Sequence, residues 1–243
     1  MKFNKIQFVY IDVDYLKYLH DIDSEIFFDE KKNYDVKPHL GILLNNNKRK
    51  YVIPLTSAKE KHKNWADVSA DWYRIYEIID TTITPVDEND IVVEIKNQEI
   101  IKTLDKDNLE NFKQRIISVL DMRKMFPVDK KIYKEVKFVV YGNVPKADQQ
   151  KHFLMLKEYN FLSNIKEDIE KKTTKIYDKQ IEKKKVLKYH CNYKKLEEAL
   201  DKYLEKNVNS TKHLGNLIVR FSIVAFHKMN QYFLLQGTNK EML

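Results

Sequence analysis

Glycine is scarce in this chain of 243 residues: Gly41, Gly142, Gly215 and Gly237 are the whole complement. No P-loop or dinucleotide fingerprint can be assembled from them, so nucleotide-cofactor chemistry is not expected, nor any other cofactor. A single cysteine, Cys191, excludes an internal disulfide and any multi-thiolate zinc site. None of the seven histidines stands in HxH or HExxH spacing, so no metal site is expected. Long uninterrupted apolar runs are also lacking. The most apolar stretch, 214–235, is broken by Arg220, His227 and Lys228, and charge there is costly in lipid. It reads as a buried terminal helix or a partner-binding helix, with no membrane partner. The apolar run near the N-terminus is short, broken by Asp12 and Asp14, and lacks the cleavage site of a signal peptide. A reducing cytoplasm is the expected location.

What is present suits a soluble protein with a real core. Hydrophobic residues make up 43% of the chain, aromatics 12% and charged residues 33%. The net charge of +8 is unevenly spread. Residues 37–63 hold seven lysines and arginines against Glu60 alone, while residues 10–35 hold eight acids against three lysines. Segregated positive charge suits a polyanion docking on one face, because each neutralised phosphate releases condensed counterions. A solvated lysine-rich surface is the plainer meaning of such a run.

No internal repeat, low-complexity segment or flexible linker divides the chain. The first half predicts short strands at 6–11, 39–44, 51–55, 72–79, 91–95 and 134–141, with a short helix at 14–19. Asn45-Asn46-Asn47-Lys48-Arg49-Lys50 between two apolar runs is a hairpin signal. Successive short strands argue for a small antiparallel barrel or sandwich. The second half predicts helices. Residues 108–120 fit one, and Met155, Tyr159, Leu162, Ile165, Ile169 and Ile176 recur as one face of a single long amphipathic helix. Another covers 193–203. The fold class is therefore α+β.

The chemically informative stretch runs from Tyr34 to His62. A strand ending at Pro54-Leu55 delivers Thr56 and Ser57, with Lys59 two residues beyond. RNA cleavage without metal needs in-line attack of the ribose 2′-hydroxyl on phosphorus, neutralisation of a crowded dianion, and proton relay. Lysine ammonium groups supply compact charge, and hydroxyls hold non-bridging oxygens or pass a proton. Tyr34, Lys37, Thr56, Ser57 and Lys59 would provide that set if the paired strands bring them together. Ser57-x-x-Glu60 is also a capping-box spacing, so Ser57 can be read simply as a helix N-cap.

The same stretch resembles the signature of the ToxN/AbiQ endoribonucleases of type III toxin–antitoxin systems. The matching positions are Gly41-Ile42, then Tyr51-Val52-Ile53-Pro54-Leu55-Thr56-Ser57-Ala58-Lys59 and His62, with alanine where the family commonly has proline. The resemblance continues through Lys124-Met125-Phe126-Pro127-Val128, the helix around Leu156–Ile165, and Cys191–Glu198. It implies a compact SH3-like β-barrel related to the Kid/MazF RNases, decorated by helices, over residues 1–203. Residues 204–243 would be a helical extension packed on it. It further implies cleavage to 2′,3′-cyclic phosphate ends, with Ser57 as the central hydroxyl, Thr56 and Lys59 beside it, and Tyr34 and Lys37 completing the pocket. The implied partners are cellular or phage RNA as target, and a pseudoknot-repeat RNA antitoxin that the toxin processes and holds in a cyclic protein–RNA assembly.

Further RNA contacts are expected from Lys48, Arg49, Lys50, Lys61, His62, Lys63, Lys183, Lys184 and Lys185, which would position rather than specify. Trp65, Trp72, Tyr73 and Tyr76 read mainly as core, with one reaching unpaired bases. Asp12, Asp14, Asp21 and Asp23 read as a solvated face, not a two-metal site. A non-catalytic RNA-binding regulator is the competing reading of the same basic face. A protein-interaction module built on 214–235 is the third.

Overall fold

Ten residues alternating on two faces, Lys2–Ile11, open the computed structural model as strand β1, and the chain then turns into helix α1, Val13–Ile22. The structure describes residues 1–29, 38–138 and 145–206. Tyr34, Lys37 and the apolar 214–235 segment lie outside the described residues, as does all but the first three residues of the expected 204–243 extension. Asp12 starts α1 by accepting the Tyr15 amide at 3.0 Å, an N-cap that satisfies one of the helix's orphan donors. Asp23 ends it and accepts from the Glu25 and Asn192 amides. The acidic cluster around α1 is thus partly structural.

The hairpin forms as its asparagines suggest. Strand β2 (His39–Leu44) pairs antiparallel with β3 (Lys50–Ser57), and Lys48 adopts positive φ (59°) in the turn. Asn45 locks that turn: its Oδ1 accepts the Asn47 and Arg49 amides at 3.0 and 2.9 Å. Its amide donates to Tyr177 and Glu197, and Glu197 also accepts from the buried Tyr51 hydroxyl. Gly41 faces the buried Val52 across the hairpin, and a Cβ at Gly41 would lie 3.0 Å from Val52 Cγ1. Gly41→Ala should therefore overpack the strand pair and destabilise the protein by about 1–3 kcal/mol, read as a lower urea midpoint.

Strands β4 (Trp72–Asp80), β5 (Ile91–Val93), β6 (Phe112–Asp121), β7 (Phe126–Val128) and β8 (Tyr133–Glu135) complete an all-antiparallel arrangement. The order is β4-β6-β3-β2-β1-β8, with β5 also on β6 and β7 also on β3. Among the described residues this path is open, with β4 and β8 at its ends, so the expected closed barrel is not what the pairing shows. The bend instead lies in β3. Its first residues pair with β2 and β7, whereas Leu55–Ser57 pair with β6. A strand that changes partners makes the corner between two differently oriented pairings, and Pro54, which cannot donate to a ladder, sits at the change.

Two expectations fail here. Residues 108–120 are not a helix: Lys106–Asn111 is a 3-10 turn and β6 follows, paired from Phe112 to Asp121 with β4. The apolar spacing mimicked a helix, but the β-branched Ile116, Ile117 and Val119 suit a strand between two partners. The long helix is two helices, α3 (Lys146–Asn164) and α4 (Lys166–Lys183), after the four-residue α2 (Gln98–Ile101). Ile165 breaks it with φ −110° and ψ 16°. Met155 and Leu162 are buried from α3 and Ile169 and Ile176 from α4, so the core stripe is shared across the break. The strand expected at 134–141 is confined to β8, since 136–138 are not extended and 139–144 lie outside the described residues. The chain divides into two units, Met1–Glu197 and Glu198–Leu243, and residues 193–206 are helical. Among the described residues no helix is long and apolar enough to cross a membrane.

Candidate active site and RNA-binding surface

The β3 strand runs two residues beyond Pro54-Leu55, where the sequence suggested it ends, and carries Thr56 and Ser57 into the β6 pairing. Thr56 lies opposite Val119 and Ser57 opposite Ser118. Strand alternation sends these two hydroxyls to opposite faces. Thr56 lines a cavity of about 410 Å³ together with Lys59, Lys61 and His62, whereas Ser57 is exposed and is not on the cavity wall. Ala58 continues the ladder by donating its amide to Ile117 O at 3.1 Å. Proline at this position would forfeit that bond.

Because the ladder holds Ser57 and Ala58, the following helical turn starts later than the capping-box spacing implies. It is a 3-10 turn, Glu60–Asn64, with Lys59 at its N-cap. The Lys59 amide donates to His62 Nδ1 at 3.1 Å, and the His62 amide donates back to Lys59 O at 2.8 Å. Ser57 is therefore not the cap, and its hydroxyl is not committed to that role.

Behind the turn stands Arg74 from β4, which the sequence reading overlooked. Its Nη1 donates to the carbonyls of His62 and Lys63 at 3.0 and 3.2 Å, while Nε and Nη2 grip Asp67 at 2.9 and 2.5 Å. Gln114 of β6 donates to the same Asp67 oxygen. An arginine inside a strand pattern next to a basic loop is the only local signal of such a clamp.

The turn presents cations outward. Lys59 and Lys61 are exposed, and neither is paired with a carboxylate among the described residues. Lys63 pairs with Glu60 at 3.0 Å. His62 departs from its expected part in charge binding: it is 2% exposed and stacks on Trp65 with centroids 4.7 Å apart. Burial, followed by the neighbouring Lys61 and Lys59, pushes its pKa down to about 4, so it is neutral near pH 7. With Nδ1 accepting from Lys59, its Nε2 carries the proton.

Trp65 and Trp72 pack together at 4.5 Å, and the Arg123 guanidinium lies over both. Tyr73 is buried and donates to Asp168, and Tyr76 packs edge-on against Phe161 at 5.4 Å. Of these four aromatics only Trp65 lines the cavity. Lys48, Arg49 and Lys50 sit at the distant hairpin turn, with Arg49 3.8 Å from Glu197, and Lys183, Lys184 and Lys185 are exposed at the end of α4. Among the described residues no three His, Cys, Asp or Glu side chains gather as a metal site would require.

On the Ser57 face, Glu158 of α3 is buried beside Ser118, the cross-strand partner of Ser57. Burial pushes its carboxyl up to about 7, opposed by the Ser118 hydroxyl. A folded-state value above the unfolded one keeps Glu158 protonated in the native state, so its contribution is full at low pH and is lost as pH rises from about 4.5 through about 7. Glu158→Gln should thus gain stability relative to the wild type at pH 8 compared with pH 5, measured by urea unfolding. A difference independent of pH would contradict this placement of the carboxyl.

A short strand end bearing two hydroxyls, an unpaired lysine and a clamped turn coincides with a match that spans most of the chain. Residues 7–201 match the family described as toxin ToxN of the type III toxin–antitoxin system. The chain belongs to the ToxN family. It is 28% identical over 204 residues to the endoribonuclease ToxN of Bacillus thuringiensis subsp. kurstaki, covering 81% of this chain and 84% of that one. It is 26% identical over 137 residues to the endoribonuclease ToxN of Pectobacterium atrosepticum, covering 55% of this chain and 71% of that one. Among solved structures, it superposes on AbiQ, a lactococcal anti-phage endoribonuclease of the type III system, with a TM-score of 0.57 at 21% identity. That match covers 83% of this chain and 99% of AbiQ. A second structure, reported for selective toxin inhibition by a non-coding RNA pseudoknot, gives a TM-score of 0.54 at 24% identity, covering 83% of this chain and 99% of that one. These likenesses establish a ToxN-type mixed fold of helices and antiparallel sheet.

Proposed function

We propose that this ToxN-family chain is an endoribonuclease toxin that cuts RNA by attack of the ribose 2′-hydroxyl and leaves 2′,3′-cyclic phosphate ends. The observation that carries the reading is the β3 terminus: Thr56 and Ser57 at a ladder end, followed within two residues by an exposed Lys59 unpaired with any described carboxylate. A phosphodiester lying across this end meets a hydroxyl from each face of the strand and an ammonium group that lowers the energy of the developing dianion. Ser57 is the central hydroxyl, Thr56 and Lys59 stand beside it, and Tyr34 and Lys37 complete the pocket. His62, being neutral and held by Lys59, serves to shape the loop and to offer a neutral ring N–H to RNA.

The relatives' type III setting supports an RNA antitoxin of pseudoknot repeats as the cognate partner, processed by the toxin and assembled with it into a closed ring, with abortive phage infection as the outcome and the cytoplasm as its place. The bent β3 corner fits descent from an SH3-like, Kid/MazF-type barrel whose pairing has opened. Lys61, Lys63 and the exposed lysines 183–185 widen the basic surface, where contacts give salt-sensitive affinity. The test is digestion of single-stranded RNA in excess EDTA followed by end-group analysis. Cyclic phosphate on the 5′ fragment is the expected result; 3′-hydroxyl ends, or cleavage that stops on chelation, would overturn it.

A further inference from the structure

We propose that the cavity on the Thr56 side of the β3 end receives one unstacked nucleobase of the RNA, beside the phosphate bound at Thr56 and Lys59. The inference rests on the nuclease reading for the position of that phosphate. Its own basis is the make-up of the cavity. At about 410 Å³ it lies at the lower end of the roughly 300–1,000 Å³ that enclosed small-ligand sites span, room for a base and part of its ribose but not for a duplex.

The floor is apolar: Leu55, Val119 and Phe126 are all buried and line it. Such a surface accommodates a flat, weakly hydrated ring and repels a bare phosphate. The rim is aromatic. Phe27 is 55% exposed and Tyr189 53%, and Trp65 lines the cavity as well. Exposed large rings at a cavity mouth have π-faces for stacking, and every base has one to match. Cations stand over the same rings, Lys59 Nζ 6.0 Å from the Phe27 centroid and Lys61 Nζ 6.0 Å from that of Trp65. A base stacked there carries its flanking phosphates to those ammonium groups. Two further cations in the wall are already engaged, Arg123 with Asp121 and Lys124 with Glu25, leaving carboxylate lone pairs toward the interior to accept from a base edge. Aromatic rim, apolar floor and phosphate-binding cations thus fall in the order base, ribose, phosphate along one path to Thr56.

The test is a binding scan on the full-length Ser57→Ala protein, with single-stranded RNA in which an abasic residue is stepped through every position. Affinity should fall roughly ten- to hundredfold at one or two neighbouring positions and little elsewhere. In Phe27→Ala, a change at an exposed side chain that leaves the fold intact, the abasic penalty at those positions should shrink to about twofold or less, because the stacking partner is gone. Trp65→Ala, checked for retained circular dichroism, reports the opposite wall. A flat abasic profile, or a penalty unchanged in both variants, overturns the pocket. Cleavage by the wild type with a flat profile leaves the nuclease reading standing without the pocket. A position-specific penalty in a protein that cuts no RNA does the reverse, and absence of RNA binding removes both.

Discussion

Ser57→Ala should cleave RNA about 10²- to 10⁴-fold more slowly than the wild type while binding it with nearly unchanged affinity. That range is what a positioned proton-transfer group contributes. The expectation is specific to this hydroxyl because Ser57 is exposed at the ladder end, is not the cap of the following turn, and has Ser118 rather than a charged residue opposite it. Its removal leaves the backbone pairing of Leu55–Ser57 with β6 intact, so folding should be unaffected. Thr56→Ala, on the other face, should cost less in rate if Thr56 only holds a phosphate oxygen. Lys59→Ala should lose both rate and affinity, since an ammonium group contributes to phosphate binding as well as to charge in the transition state. Single-turnover kinetics beside equilibrium binding separate these cases. Equal losses of affinity and rate in Ser57→Ala would move the chemistry elsewhere.

Arg74→Ala should be the most destabilising single change near the site, by about 3 kcal/mol. Removing one partner of a buried ion pair leaves the other desolvated and unpaired, and such losses run to about 3–5 kcal/mol. The lower end applies because Asp67 keeps the Gln114 donor and is partly exposed. Two carbonyls of the Glu60–Asn64 turn would also lose their donor. Denaturant unfolding of Arg74→Ala, Asp67→Ala and the double variant gives the measurement. The double loss should be clearly smaller than the sum of the singles, because either substitution alone already breaks the pair. Additive losses would mean that the clamp is not a unit. Since the clamp holds the turn that carries Lys59 and His62, residual folded Arg74→Ala should also cleave slowly.

The hairpin, α1 and β7 were legible because their signals are local: an asparagine-rich turn, an Asp cap, a proline within a short apolar run. The Thr56–Ser57–Lys59 cluster was legible for the same reason, as a contiguous motif. β6 was not. Its apolar residues repeat at a spacing that a helix also satisfies, and its strand character comes from β4 on one side and β3 on the other, neither adjacent in sequence. The break at Ile165 was hidden because the buried stripe continues across it, and periodicity reports the stripe rather than the axis. Closure of the sheet could not be read from strand count, since it depends on where β3 changes partners. Arg74 escaped notice because its role is set by burial and by carbonyls presented from another element. The opposite facing of Thr56 and Ser57 follows from β3 extending past Pro54, which hinges on the β6 pairing.

The structure of the complex with single-stranded RNA carrying a 2′-deoxy residue at the scissile position tests the central claim most directly, since the attacking hydroxyl is absent and the phosphate stays whole. The account predicts that the uncut phosphate lies within hydrogen-bond reach of Ser57 Oγ, with Lys59 Nζ on a non-bridging oxygen. A scissile phosphate bound away from the β3 end, with Ser57 facing solvent, would contradict it.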